Sequence, residues 1–219
     1  MKKFALAALA VFSFDSAAQQ PGFQEGTHYA VLEQPAAARV ADGVVVTEAF
    51  SYLCTHCATF EPYIQAWKGR LPEGVRLTRI PVEFGRQAWG LYARAHVAAA
   101  VMGIDQETIV PMMDAVWKQR RDMRTMEQLA DFYAEFGVDK SQFLATAQSF
   151  AVDMRMRREQ QLIREYQVSG TPTMIVNGKY RVSTGPAVPD FDVMLAVVDY
   201  LVARELAEQA AAQASADGS

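Results

Sequence analysis

Cysteine and histidine are scarce in this chain, two and three residues among 219. A structural zinc site takes about four ligands. Cys54 and Cys57 have no third cysteine to join them, and His28 and His96 stand far off in sequence. That count argues against a metal centre. Excess positive charge is also missing. Lysine and arginine number 21 against 25 acidic residues, a net charge of −4. A mildly acidic chain is a poor partner for nucleic acid. No apolar run reaches the roughly 18–20 residues of a membrane-spanning helix, and no internal repeat is visible. Apolar residues, by contrast, make up 51% of the chain, enough for a sizeable core in one domain or one domain with an insertion.

The N-terminus carries the pattern of an export signal. Lys2 and Lys3 supply a basic start, Phe4 to Phe14 an apolar run, and Ser16-Ala17-Ala18 small residues suited to cleavage before Gln19. Residues 1–18 are therefore expected to be removed on export, with Asp15 an unusual member of the cleavage region. An exported chain reaches an oxidising compartment, where paired cysteines can act as an oxidant.

Those two cysteines lie in Glu48-Ala49-Phe50-Ser51-Tyr52-Leu53-Cys54-Thr55-His56-Cys57. Val44 to Phe50 is short, apolar and β-branched and predicts a buried strand. Phe60, Ile64 and Trp67 follow at helical spacing, with Pro62 predicting a kink. The cysteines thus sit where a strand gives way to a helix. There, unpaired backbone N–H groups and the positive end of the helix dipole favour thiolate over thiol. Cys54, in the first turn, is the candidate nucleophile. Cys57, one turn on, is the candidate resolving thiol. His56 between them can support the Cys54 thiolate or be an ordinary exposed helix residue. A purely structural disulfide is the blander reading of the pair, but closing so small a loop contributes little. Glu48 in a buried strand is costly unless paired or protonated. It reads equally as an edge residue facing water or as a buried acid modulating proton transfer.

The rest of the chain alternates between strand and helix signals. Gln20 to Gly26 reads as a flexible lead, Tyr29 to Leu32 as a strand ended by Pro35, and Asp42-Gly43 as a turn. Val75 to Phe84 alternates as a strand with Pro81 near its end. From Gln87 the period turns helical: Trp89, Tyr92 and His96 share a face, a second helix spans Asp105 to Lys118 with an interruption near Pro111, and Thr125 to Gln128 matches a capping box. Gly137 stops that helix, Ser141 can cap the next, and a long helix runs to about Gln167. His96 reads as a packed helix residue, Arg155, Arg157, Arg158 and Arg164 as a solvated face, and most of the methionines as core filler. Strands return at Met174 to Val176 and Lys179 to Val182 around the hairpin signal Asn177-Gly178. A last helix starts near Pro189-Asp190, and the tail from Ala210 reads as disordered.

This order predicts an α/β fold, a thioredoxin-like sheet with an inserted all-helical domain. The expected division is residues 19–84 and 161–209 for the sheet domain, 85–160 for the insertion and 210–219 for the tail. The sequence resembles the DsbA family of periplasmic thiol:disulfide oxidoreductases through EGTHYAVLEQP, TEAFSYLCTHC, LPEGVRLTRIPVEF and VSGTPTMIVNGKY, spread from about residue 25 to 200. The resemblance implies that Cys54 is the nucleophile, Cys57 the resolving thiol and His56 the family's active-site histidine. It places Glu48 on the family's buried acid, and Thr171-Pro172 on the cis-proline loop that faces the disulfide and pairs with substrate. Thr55 departs from the usual proline and is expected to weaken the oxidant. The implied partners are reduced exported proteins as substrates and a DsbB-type membrane quinone oxidoreductase that reoxidises the pair. No cofactor is called for. A monomer is expected, and the isomerase or reductase relatives usually carry an N-terminal dimerisation domain, for which the residues before Tyr29 leave no room. The alternatives are an isomerase or reductase on the same fold, or a peptide-binding chaperone without turnover.

Overall fold

Val44 to Phe50 form strand β2, buried at every position. Alternation fails here because both faces are covered. In this computed structural model, which describes residues 22–33 and 43–217, β2 lies between two neighbours. It pairs in parallel with β3 (Val75–Pro81) and antiparallel with β4 (Thr173–Val176). Strand β5 (Tyr180–Ser183) follows β4 antiparallel and carries the two-residue β1 (Ala30–Val31) at the edge, giving the order β1-β5-β4-β2-β3. Asn177 and Gly178 both take positive φ, 51° and 65°. These are the backbone values that a two-residue hairpin matching strand twist requires, and the reason for an Asn-Gly pair.

Helix α1 (Thr55–Lys68) joins β2 to its parallel neighbour β3 as a crossover. Its Phe60, Ile64 and Trp67 pack under the sheet with Val44, Val46, Met174 and Val176, together with the last helix, α7 (Phe191–Asp217). The opposite face is covered by Ile163 and Tyr166, which meet Ala49, Ile80 and Ile175. Between β3 and β4 the chain forms five helices: α2 (Gln87–Val101), α3 (Asp105–Trp117), α4 (Met126–Ala134), α5 (Lys140–Ala147) and α6 (Phe150–Glu165). They close a second core around Ala95, Ala98, Met112, Leu129, Tyr133 and Phe143. Phe50, Tyr52 and Cys57 belong to that same cluster, so the cysteine turn lies where the two cores meet.

Local signals explain most boundaries and several departures. Thr125 makes the capping box with Gln128. Asp139, not Ser141, caps α5, accepting from Gln142 N at 2.8 Å; a carboxylate reaches the free N–H groups and also suits the positive helix end. α3 runs unbroken through Pro111. The carbonyl that loses its helical donor, four residues earlier, belongs to Glu107, an exposed residue. α6 crosses residue 160 and continues to Glu165. α7 continues through the Ala/Gln-rich segment to Asp217 instead of fraying at Ala210; alanine and glutamine are strong helix formers, so propensity extends the helix past its last packed turn. From Gly22 the lead is anchored: Phe23 packs edge-on against His28 and Tyr200. Residues 1–18, Pro35 and Asp42 lie outside the described residues.

Candidate active site

Cys54 is the N-cap of α1, with extended backbone (φ −94°, ψ 118°) and no side-chain cap bond. Its carbonyl accepts from Ala58 N at 3.1 Å and so starts the helix, while its own N–H donates to Ser51 O at 3.1 Å. The sulfur therefore stands at the mouth of the helix, where the first-turn N–H groups have no backbone partner. Its thiol form donates to Thr171 O at 3.4 Å. Its thiolate form receives the Cys57 thiol first of all, then the Thr171 side chain and the N–H groups of Cys57 and His56. These donors outweigh partial burial and hold the Cys54 pKa down at about 5. Cys57 is fully buried one turn further on. Desolvation pushes its thiol far up, and the charges of Glu48 and Cys54 push the same way. Two cysteines of one motif thus differ sharply, one poised as thiolate and one held as thiol. Both are free in the structure, the reduced dithiol.

Thr55 and His56 are the first two residues of α1, and both are exposed. The Thr171–Pro172 bond is cis, and β4 begins at the next residue. The structure thus brings Thr171 to the sulfur from a segment more than a hundred residues away.

Glu48 is wholly buried, not at an edge facing water. In β2 it shares the face of Val44 and Val46, the side that α1 covers. Arg79, directly across in β3, donates through Nε to Glu48 Oε2 at 2.7 Å. Its Nη2 donates to both oxygens of Glu61 at 3.1 Å. One guanidinium therefore serves two buried carboxylates. Burial raises the Glu48 pKa to about 6, since Arg79 only partly offsets desolvation and Glu61 adds repulsion.

Glu61 and Arg79 are absent from the sequence reading. Glu61 carried a signal, a charge on the apolar face of α1, four residues after Cys57. Arg79 became visible only through the register of β2 against β3. His96 is buried, with Nδ1 2.9 Å from Tyr52 Oη. Burial pushes its pKa down to about 3, so it packs as a neutral ring. Trp117 Nε1 donates to Tyr52 O at 2.8 Å. The residue two before Cys54 is thereby tied to two helices of the insertion. Among the described residues, no group of three or more His, Cys, Asp or Glu could hold a metal ion.

Comparison with known proteins gives a consistent set. The model of the DSBA-like thioredoxin domain matches residues 45–199. The thiol:disulfide interchange protein DsbA of Pseudomonas aeruginosa is 37% identical over 195 residues, 89% of this chain and 91% of the relative. That of Azotobacter vinelandii is 39% identical over 166 residues, 76% and 77% of the two chains. Among solved structures, Pseudomonas aeruginosa DsbA superposes with a TM-score of 0.78 at 36% identity, covering 87% of this chain and 97% of that one. The oxidoreductase DsbA of Xylella fastidiosa gives 0.78 at 33% identity, with 86% and 99% covered. A strand-to-helix cysteine pair, a cis-proline loop against it and a five-helix insertion, together with these matches, place the chain in the family: it belongs to the DSBA-like thioredoxin domain proteins.

Proposed function

We propose that this chain is a dithiol oxidase that introduces disulfides into exported proteins. The observation that carries the reading is the contrast between Cys54, with a pKa near 5, and Cys57, a buried thiol. In the oxidised enzyme a substrate thiolate attacks Cys54 Sγ. The Cys54–Cys57 bond breaks, and Cys57 leaves with the electron pair and takes up a proton. The product is a mixed disulfide between substrate and Cys54. A second substrate thiolate then attacks the substrate sulfur, and Cys54 departs as its stabilised thiolate. The substrate gains a disulfide, and its two electrons remain on the reduced pair. A low thiol pKa makes a good leaving group. A protonated Cys57 is slow to attack Cys54, which leaves the mixed disulfide to the second substrate thiol.

In this reading His56 supports the Cys54 thiolate, and Thr171 with Pro172 offers backbone to a substrate strand. Glu48 and Thr55 tune the pair. Reduced exported proteins are the substrates, and a DsbB-type membrane quinone oxidoreductase collects the electrons. The setting is the periplasm, reached through the signal segment 1–18, and the protein acts as a monomer with its helical insertion capping the sheet domain. Oxidation of a two-cysteine peptide by the preoxidised enzyme tests the core of this. Cys54→Ala is expected to abolish turnover. Retained turnover in that variant, or a wild type that only suppresses aggregation, would replace the oxidase by the chaperone reading.

A further inference from the structure

Helix α6 has an outer face that the thiol chemistry does not use. Its Val152, Met156, Glu159 and Ile163 are buried. Phe150, Met154, Arg157, Gln161 and Arg164 recur at i, i+4, i+7, i+11 and i+14, so they share the opposite side of the helix, with Arg158 next to them. All six are exposed. Phe150 at 76% and Met154 at 45% are the two most exposed large apolar side chains among the described residues.

The arginines on this face are free. Arg157, Arg158 and Arg164 make no ion pair and no side-chain hydrogen bond among the described residues. Each acid of α6 is engaged elsewhere: Asp153 with Arg94 at 2.8 Å, Glu159 with Arg155 at 2.8 Å, and Glu165 as acceptor from Gln161 at 2.6 Å. Glu83 lines a hollow with Arg157 and Arg164 but pairs with neither. A second hollow, about 430 Å³, lies among Met154, Arg157, Arg158 and Gln161. The chain as a whole carries a net charge of −4, so three unpaired guanidiniums along one helix are a local reversal of sign.

We propose that this face of α6 docks on a bilayer that carries anionic phospholipid. A guanidinium matches a phosphate in charge and in bidentate geometry. The hollow among the arginines receives a headgroup phosphate. Phe150 and Met154 enter the boundary between headgroups and acyl chains, as the apolar side chains of interfacial helices do. From Phe150 to Arg164 the stripe is about 21 Å long, so the helix lies flat on the surface. An acidic polypeptide would neutralise the arginines and leave Phe150 and Met154 in water, which favours the bilayer. α1 packs on the other face of the sheet, so docking through α6 leaves the cysteine helix uncovered. The inference goes beyond the oxidase reading and does not depend on it, because lipid binding is measured without any thiol.

The test is flotation with vesicles of phosphatidylglycerol and phosphatidylcholine in equal parts, against vesicles of phosphatidylcholine alone. The exported form from Gln19 on is used, so the basic signal segment contributes nothing. Wild type is expected to float with the anionic vesicles only, and to be released as salt rises. Arg157→Glu with Arg158→Glu is expected to lower the partition roughly tenfold or more, with oxidation of a soluble dithiol peptide unchanged. Phe150→Trp supplies a second reading that does not depend on charge: its emission is expected to move to the blue on the anionic vesicles. Equal flotation of wild type and the charge-reversed variant overturns the proposal. So does binding to polyglutamate with no binding to vesicles, which would assign the stripe to an acidic polypeptide.

Discussion

Arg79 is the side chain on which the buried charge under the cysteine pair depends. It bonds Glu48 and Glu61 at once, and all three are nearly closed to solvent. Removing a partner from a buried ion pair leaves an uncompensated charge and costs about 3–5 kcal/mol. Arg79→Leu leaves two carboxylates, so urea unfolding at pH 7 should show a loss at the upper end of that range. The loss should shrink on acidification, because Glu48, with its raised pKa, then takes up a proton. A variant as stable as wild type at pH 7 would contradict the dependence of this buried cluster on Arg79. Glu48 carries its own pH signature. Its pKa rises from 4.5 to about 6 in the folded protein. The folded state then binds the proton more tightly, and the resulting stability is fully present below pH 4.5 and lost as pH rises through 6.

At the scale of the element, α1 is the working part. Thr55 is its first helical residue, a position that suits proline because the missing N–H has no helical partner and the fixed φ is already helical. The backbone donors to Cys54 Sγ come from His56 and Cys57, not from Thr55, so Thr55→Pro keeps them and stiffens their setting. A firmer setting of the donors on the Cys54 thiolate favours the reduced form, so the potential of Thr55→Pro is expected to lie above that of the wild type, about 30 mV for each 1.4 kcal/mol of added preference. Equilibration of both proteins with glutathione checks this, and identical potentials would refute it. This element was legible in sequence, because its strand entry, its cysteines and its apolar stripe are local patterns. Glu61 on the same stripe was not read, since its partner Arg79 arrives through strand register. Thr171 illustrates the limit from the other side. A resemblance placed it near the disulfide, but no periodicity links residue 171 to residue 54; only the folded sheet does. The tail beyond Ala210 went the opposite way, where composition suggested disorder and helix propensity prevailed.

For the whole molecule, the α/β class and the helical insertion followed from the order of strand and helix signals along the chain, whereas the sheet order β1-β5-β4-β2-β3 appears only in the fold. The meeting of two cores at the cysteine turn did not follow either, because Tyr52, His96 and Trp117 join across separate helices. The consequence for stability is global. Cys54 carries a pKa lowered from 9.0 to about 5 in the reduced protein. A depressed acid stabilises the folded state above its unfolded pKa, and that contribution is lost as pH falls through the folded value. The oxidised protein has no such thiolate, and Glu48 titrates in both forms. The advantage of reduced over oxidised protein should therefore narrow steadily from about pH 8.5 down to about pH 5, as read from paired thermal or urea unfolding curves. A gap that stays constant over that window would place the thiol pKa elsewhere. Whether thiolate stabilisation at Cys54 makes the pair a donor of disulfides is decided by the reduction potential of Cys54–Cys57 against a glutathione series. A value above about −180 mV, more oxidising than glutathione, is expected. A value near about −270 mV, in the range of reducing dithiols, would contradict it and make the protein a reductase on the same fold.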